Sequence, residues 1–107
     1  MRTNWLQKTA NTMTAKDIPQ FLEDENGLAY LKYVRIGEGY RFGDASSFSV
    51  DHSSLANGEK AESAAFVKIN RDGLYVEGYS MVLGIGPAPD DEENLSKLLG
   101  IPIRDRW

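Results

Sequence analysis

The chain has 107 residues, 41% of them apolar, with a net charge of −4 and no cysteine. That length fits one domain, residues 1–107, and so apolar a composition argues against wholesale disorder. The missing thiols exclude disulfides, thiolate zinc sites and cysteine nucleophiles, and the acidic balance argues against direct nucleic-acid binding.

Residues 1–13 show weak periodicity, with Trp5 and Leu6 as the only strong anchors before Met13. They read as a flexible or partner-docked arm. Thr14 and Asp17 have capping-box spacing, and Pro19 suits a first helical turn, so a short helix is predicted over 17–25. Asn26-Gly27 ends it. Residues 28–36 are rich in aromatic and aliphatic side chains and read as a strand. Gly37-Glu38-Gly39 is a turn, Tyr40-Arg41-Phe42 resumes extended structure, and 48–51 reads as a further short strand. Residues 52–60, with Ser53, Ser54, Asn57 and Gly58, read as an exposed loop.

The clearest local signal is a hairpin: strand 64–69, turn Asn70-Arg71-Asp72-Gly73, strand 74–85. Pairing Asn70 with Leu74 sets Phe66 opposite Gly78, where a ring can fill the gap the glycine leaves. Apolar side chains fall on both faces, Tyr75, Tyr79, Met81 and Leu83 on one and Leu74, Val76 and Val82 on the other. A sheet with one wet face does not look like this, so either helices cover one side and a partner the other, or the sheet curls on itself. After Gly86-Pro87-Ala88-Pro89 a helix is predicted over 91–99. Asp90 is its N-cap, Leu95, Leu98 and Leu99 its apolar stripe, and Gly100 its end, with Ile101 packing back on Leu95. Trp107 is expected to dock. The fold class is α+β: an antiparallel β-meander of four to five strands with a short N-terminal helix and a C-terminal helix.

Catalytic constellations are poor. Asp51-His52-Ser53 holds the residue types of a hydrolytic triad, but adjacency points alternate side chains apart, and His52 reads as a polar loop residue or a ligand contact. One histidine without cysteine supports no metal site of the zinc type, and neither acidic cluster (Glu23, Asp24 and Glu25; Asp90, Asp91, Glu92 and Glu93) has calcium-loop spacing. These clusters read as solvated surface, or as an acidic face for a basic partner. Gly84-Ile85-Gly86-Pro87 is a poor phosphate loop, because the prolines remove amide donors. No enzyme activity, cofactor or metal is expected.

Five tyrosines interleave with Arg35 and Arg41, and tyrosine and arginine are enriched in binding hot spots. The order Asp51-His52, Ser63-Ala64-Ala65-Phe66-Val67, Gly78-Tyr79-Ser80, Leu83-Gly84 and Pro89-Asp90-Asp91 resembles a group of small uncharacterised phage and prophage proteins, over residues 51–99. The resemblance implies expression inside a bacterial host, and implies roles for His52 and Ser80 beyond packing. Candidate binding residues are therefore Arg35, Tyr40, Arg41, His52, Tyr79 and Ser80.

The leading expectation is a non-catalytic protein that occupies a protein partner, as a phage accessory protein antagonising a host system. Alternatives are a small-molecule or nucleotide-sequestering protein with a site between protomers, and a virion or assembly subunit. A chain this short buries only about 60–70% of its unfolded surface, which favours a homodimer. No stretch has signal-peptide or membrane-spanning length, so a cytoplasmic protein without membrane contact is expected.

Overall fold

Local chemistry sets each element in the computed structural model, which describes residues 12–46 and 51–104. The Thr14 amide donates to Asp17 Oδ2 at 2.9 Å, closing a capping box around a 3-10 turn, Ala15–Asp17. Helix α1, Ile18–Asp24, follows with Pro19 in its first turn, where the missing N–H is not needed. It ends where Asn26 and Gly27 turn left-handed and the Gly27 amide donates to the Leu22 carbonyl at 2.7 Å. Ile18 and Phe21 are its buried side chains, each contributing about 1.5–3 kcal/mol by leaving water.

Strands β1, Ala29–Ile36, and β2, Gly39–Asp44, form a hairpin through Gly37-Glu38. Strands β3, Ser63–Asn70, and β4, Gly73–Glu77, form a second. The four are antiparallel in one sheet of order β2-β1-β3-β4, so the two hairpins meet along β1 and β3. With the helices at either end of the chain, the class is α+β.

Several expectations are corrected. Residues 52–60 are not all loop: His52–Ala56 forms helix α2, capped by the Asp51 carboxylate, which accepts from the Ser54 amide at 2.8 Å. Ser53 and Ser54 belong to the cap, while His52, Leu55 and Ala56 supply the buried stripe. Second, Asn70 pairs with Gly73 and Ile69 with Leu74, so the hairpin register is one residue tighter than expected. Phe66 therefore pairs with Glu77, although its ring still covers Gly78, where a Cβ would lie 3.0 Å from Phe66 Cδ1. Third, the strand over 74–85 ends at Glu77. Gly78 turns to positive φ, and residues 80–85 close a separate small loop. The strand expected over 48–51 lies outside the described residues, except that Asp51 is the helix cap.

Helix α3, Asp91–Leu99, has the expected limits and stops at Gly100 in the left-handed region. Leu95 is buried and Leu99 and Ile101 pack against the core, while Leu98 remains exposed. The chain then runs beside β4: the Leu74 amide donates to the Pro102 carbonyl at 2.9 Å, and the Arg104 amide to the Leu74 carbonyl at 2.7 Å. On the far edge Met13 exchanges two backbone bonds with Phe42, at 2.7 and 2.8 Å, and is fully buried. Met13 is thus part of the sheet rather than of an arm. Both edges are blunted in this way against strand addition. Trp5, Leu6 and Trp107 lie outside the described residues.

The main core lies on one face of the sheet. Leu31, Tyr33, Phe42, Val67, Ile69, Leu74 and Val76 are sealed there by Met13, Ile18, Phe21 and Leu95. The other face is covered at one end only, where Leu55 of α2 packs with Val34 and Ala64, joined by Leu83 and Ile85. At its other end Tyr30 and Lys68 are exposed, and Phe66 and Tyr75 are half-buried. This accounts for apolar residues on both faces. No helix among the described residues is long and apolar enough to cross a membrane.

Candidate functional site

The six candidate residues fall into three separate places. Arg35 and Tyr40 belong to a buried cluster around Asp91, the first residue of α3. Asp91 is fully buried and accepts from Tyr33 Oη at 2.6 Å, Tyr40 Oη at 2.7 Å and the Ala88 amide at 2.8 Å. Arg35 Nη1 lies 3.4 Å from Asp91 Oδ1 and 3.0 Å from Asp90 Oδ1. Burial alone would raise the Asp91 pKa. Hydrogen bonds, led by Tyr33, outweigh it and hold the carboxyl below its usual range. The Ser63 dipole acts in the same sense, but its buried hydroxyl lies outside hydrogen-bonding geometry with any described group. Burial, and then the bond to Asp91, raises Tyr33, and burial pushes Tyr40 up to about 12 against the lowering effect of Asn94. A saturated, fully buried carboxylate offers no approach to a substrate. The cluster is a latch fixing α3 to β1 and β2.

Arg41 is committed elsewhere. Its Nη1 donates to the Leu55 and Ala56 carbonyls at 3.0 and 3.2 Å, and Nη2 pairs with Glu59. It caps the C-terminal end of α2, where carbonyls carry unpaired negative charge.

His52, Tyr79 and Ser80 do converge. His52, Tyr79, Tyr30, Phe66, Gly78, Met81 and Val82 line an open groove of about 410 Å³. A second trough of about 470 Å³ is lined by Tyr79, Ser80, Met81, Gly84, Ile85 and Gly86. Met81 and Tyr79 border both. The loop carrying them is firmly closed. The Ser80 amide donates to the Ile85 carbonyl at 2.8 Å, the Gly84 amide to the Ser80 carbonyl at 2.9 Å, and the Leu83 amide to Ser80 Oγ at 3.1 Å. Leu83 and Ile85 point into the smaller core, so the tip residues are driven outward. Met81 is 82% exposed, Tyr79 60%, Val82 59% and Tyr30 42%.

His52 forms part of the groove wall from a buried position. Its Nε2 lies 2.7 Å from the Ala65 carbonyl, which can only accept, so Nε2 carries the proton. Its edge meets Phe66 at 5.1 Å, and Phe66 stacks on Tyr30 at 5.4 Å. Tyr30 Oη donates to Glu77 at 3.0 Å. Burial lowers the His52 pKa, Lys32 adds to that, and the Ala65 bond partly offsets it. The ring is neutral near pH 7. Asp51 is occupied by Ser53 and Ser54, so Asp51, His52 and Ser53 do not assemble as a triad. No group of three or more potential ligands for a metal ion occurs among the described residues.

Because the folded pKa of His52 lies below its usual 6.5, the unfolded chain binds the proton more tightly. The stability contributed by neutral His52 is present above about pH 6.5 and is lost as pH falls from there through the folded value. Urea melts at pH 7.5 and 5.5 check this. The wild-type midpoint is expected to be lower at pH 5.5, and His52→Gln, which does not charge, should show a smaller difference.

Tyr30, Phe66, Met81 and Val82 were not candidates in sequence reasoning. The available signal was the pair Gly78 and Gly84 bracketing Met81-Val82-Leu83, which marks a closed loop rather than a continuing strand. Comparison with protein-family models, curated proteins and solved structures finds no match to the chain.

Proposed function

We propose that this chain is a non-catalytic binding protein that works by occupying a protein partner through the 79–82 loop tip and the adjacent groove. The observation that carries the reading is the outward-driven set Tyr79, Met81 and Val82 on a hydrogen-bonded loop beside an aromatic-walled groove. A preformed apolar anchor loses little conformational entropy on binding, and buried aromatic anchors dominate interface energies. The proposed setting is a bacterial host, with a host protein antagonised by occupation. The nucleotide alternative is less well supported, since Arg35 and Arg41 are engaged at Asp90, Asp91 and the end of α2 rather than beside Tyr79 and His52.

Photo-cross-linking tests the reading. Benzoylphenylalanine placed at position 81, and separately at exposed position 93, is activated in bacterial cells. One discrete adduct is expected from position 81 and none from 93, and Tyr79→Ala should abolish it. Equal adducts from both positions, or none from 81, would refute partner binding at this loop.

A further inference from the structure

Met81 is the most exposed large apolar side chain among the described residues, with 82% of its surface open. It differs from its neighbours Tyr79 and Val82 in one chemical respect. It carries a thioether, whose polarisable sulfur lone pair attacks peroxides. The sequence holds three methionines and no cysteine, so no thiol takes up the oxidant first. Met13 lies at the other extreme of access. It is fully buried and exchanges two backbone bonds with Phe42, so its sulfur meets a dissolved oxidant only when the β2 edge opens. Met1 lies outside the described residues. The bonds closing the loop run through backbone groups and Ser80 Oγ, so an oxygen added at Met81 Sδ leaves them in place. It changes the surface instead. A sulfoxide is a strong hydrogen-bond acceptor, and burying one without a donor costs free energy where burying the thioether gains it. The tip keeps its backbone and loses its apolar character at the most exposed position.

We propose that Met81 is a site of reversible oxidation to the sulfoxide by peroxides, and that this oxidation releases the partner from the loop tip. The Sδ lone pair attacks one oxygen of hydrogen peroxide. The S–O bond forms as the O–O bond breaks, and the departing hydroxide takes the remaining proton of the first oxygen to become water. Sulfur is oxidised and the peroxide reduced. The release rests on the protein-partner reading above, whereas the oxidation does not. To test the site, the full chain is treated with hydrogen peroxide, desalted and mapped by peptide mass spectrometry. Met81 is expected to gain one oxygen atom at least about tenfold faster than Met13, with the melting temperature within about 3 °C of the untreated chain. Equal rates at Met81 and Met13, or an unmodified Met81 in the folded chain, overturn the site. The release is read with benzoylphenylalanine at position 82, photo-activated in a desalted bacterial lysate that has not met the peroxide. Oxidation of the added chain is expected to cut the adduct at least about fivefold, a loss of hot-spot size. The two methionine sulfoxide reductases, one for each sulfur configuration, should restore it. Met81→Leu, compared with its own untreated sample, should show no such loss. An undiminished adduct after oxidation, a loss that the reductases do not reverse, or an equal loss in Met81→Leu overturns the release. No adduct from the untreated chain removes the partner reading and the release together, while the peptide map still decides the site.

Discussion

Asp91→Ala is expected to lower stability by about 3–5 kcal/mol, the range for removing one member of a buried, hydrogen-bonded charge cluster. The carboxylate holds the Tyr33 and Tyr40 hydroxyls and the Ala88 amide together. Its removal strands three buried or half-buried donors, each costing about 1–3 kcal/mol when left unpaired, less whatever water recovers. It also frees the end of α3 from the sheet. Asp91→Asn should be milder in volume but still costly, since an amide cannot accept at both positions. A urea melt of each variant checks the size. The wild type carries the matching pH signature. The Asp91 pKa is lowered from its usual 3.8, so its contribution is complete above about pH 4 and is lost as pH falls through the folded value.

Gly73→Ala is the second large effect, at about 2–4 kcal/mol. Gly73 adopts φ +128°, a region that L side chains rarely enter, and a Cβ there would collide with the Pro102 carbonyl oxygen. Backbone opposes backbone at this point, so no side chain can swing aside. The strand must distort, or residues 101–104 must leave the β4 edge and break the Leu74–Pro102 and Arg104–Leu74 bonds. Gly84→Ala is the control. Gly84 also has positive φ, at +69°, but a Cβ there meets nothing within 4 Å, so only the backbone cost of roughly 1 kcal/mol applies. Thermal melts of the two variants, with limited proteolysis of the C-terminal segment, separate them. Equal losses would contradict the close approach at Pro102.

Much of the fold was legible because its signals are local. The cap, stripe and stop of α3 all lie within residues 90–100, and the aliphatic run over 28–36 marks β1. Failures came where a local pattern was ambiguous or its partner distant. Tyr79, Met81 and Leu83 keep the alternation of Tyr75, a pattern that predicts a continuing strand. One positive-φ glycine at position 78 breaks it, and alternation carries no record of φ. Helix α2 is only five residues long, and its serines are as common in loops as in caps. Asp91 looked like one of four solvated acids. Its buried partners Tyr33 and Tyr40 lie 58 and 51 residues away, a contact that only the sheet order creates. Arg35, Tyr40 and Arg41 share residue types with binding hot spots, yet latches and helix caps use the same chemistry. His52 and Tyr79 join in one groove because α2 and the 80–85 loop cover the same end of the sheet.

The central claim is that the loop tip and groove are where a protein partner sits. The most direct measurement is native mass spectrometry of tagged chains purified at matched expression from bacterial cells. It compares the wild type with the Tyr79→Ala/Met81→Ser double variant, and with Leu98→Ser on the exposed side of α3 as control. The wild type and the control should carry a second chain of one fixed mass, while the double variant runs alone, with melting temperatures within about 3 °C of one another. The same complex from the double variant, or no second chain from the wild type, would contradict the account.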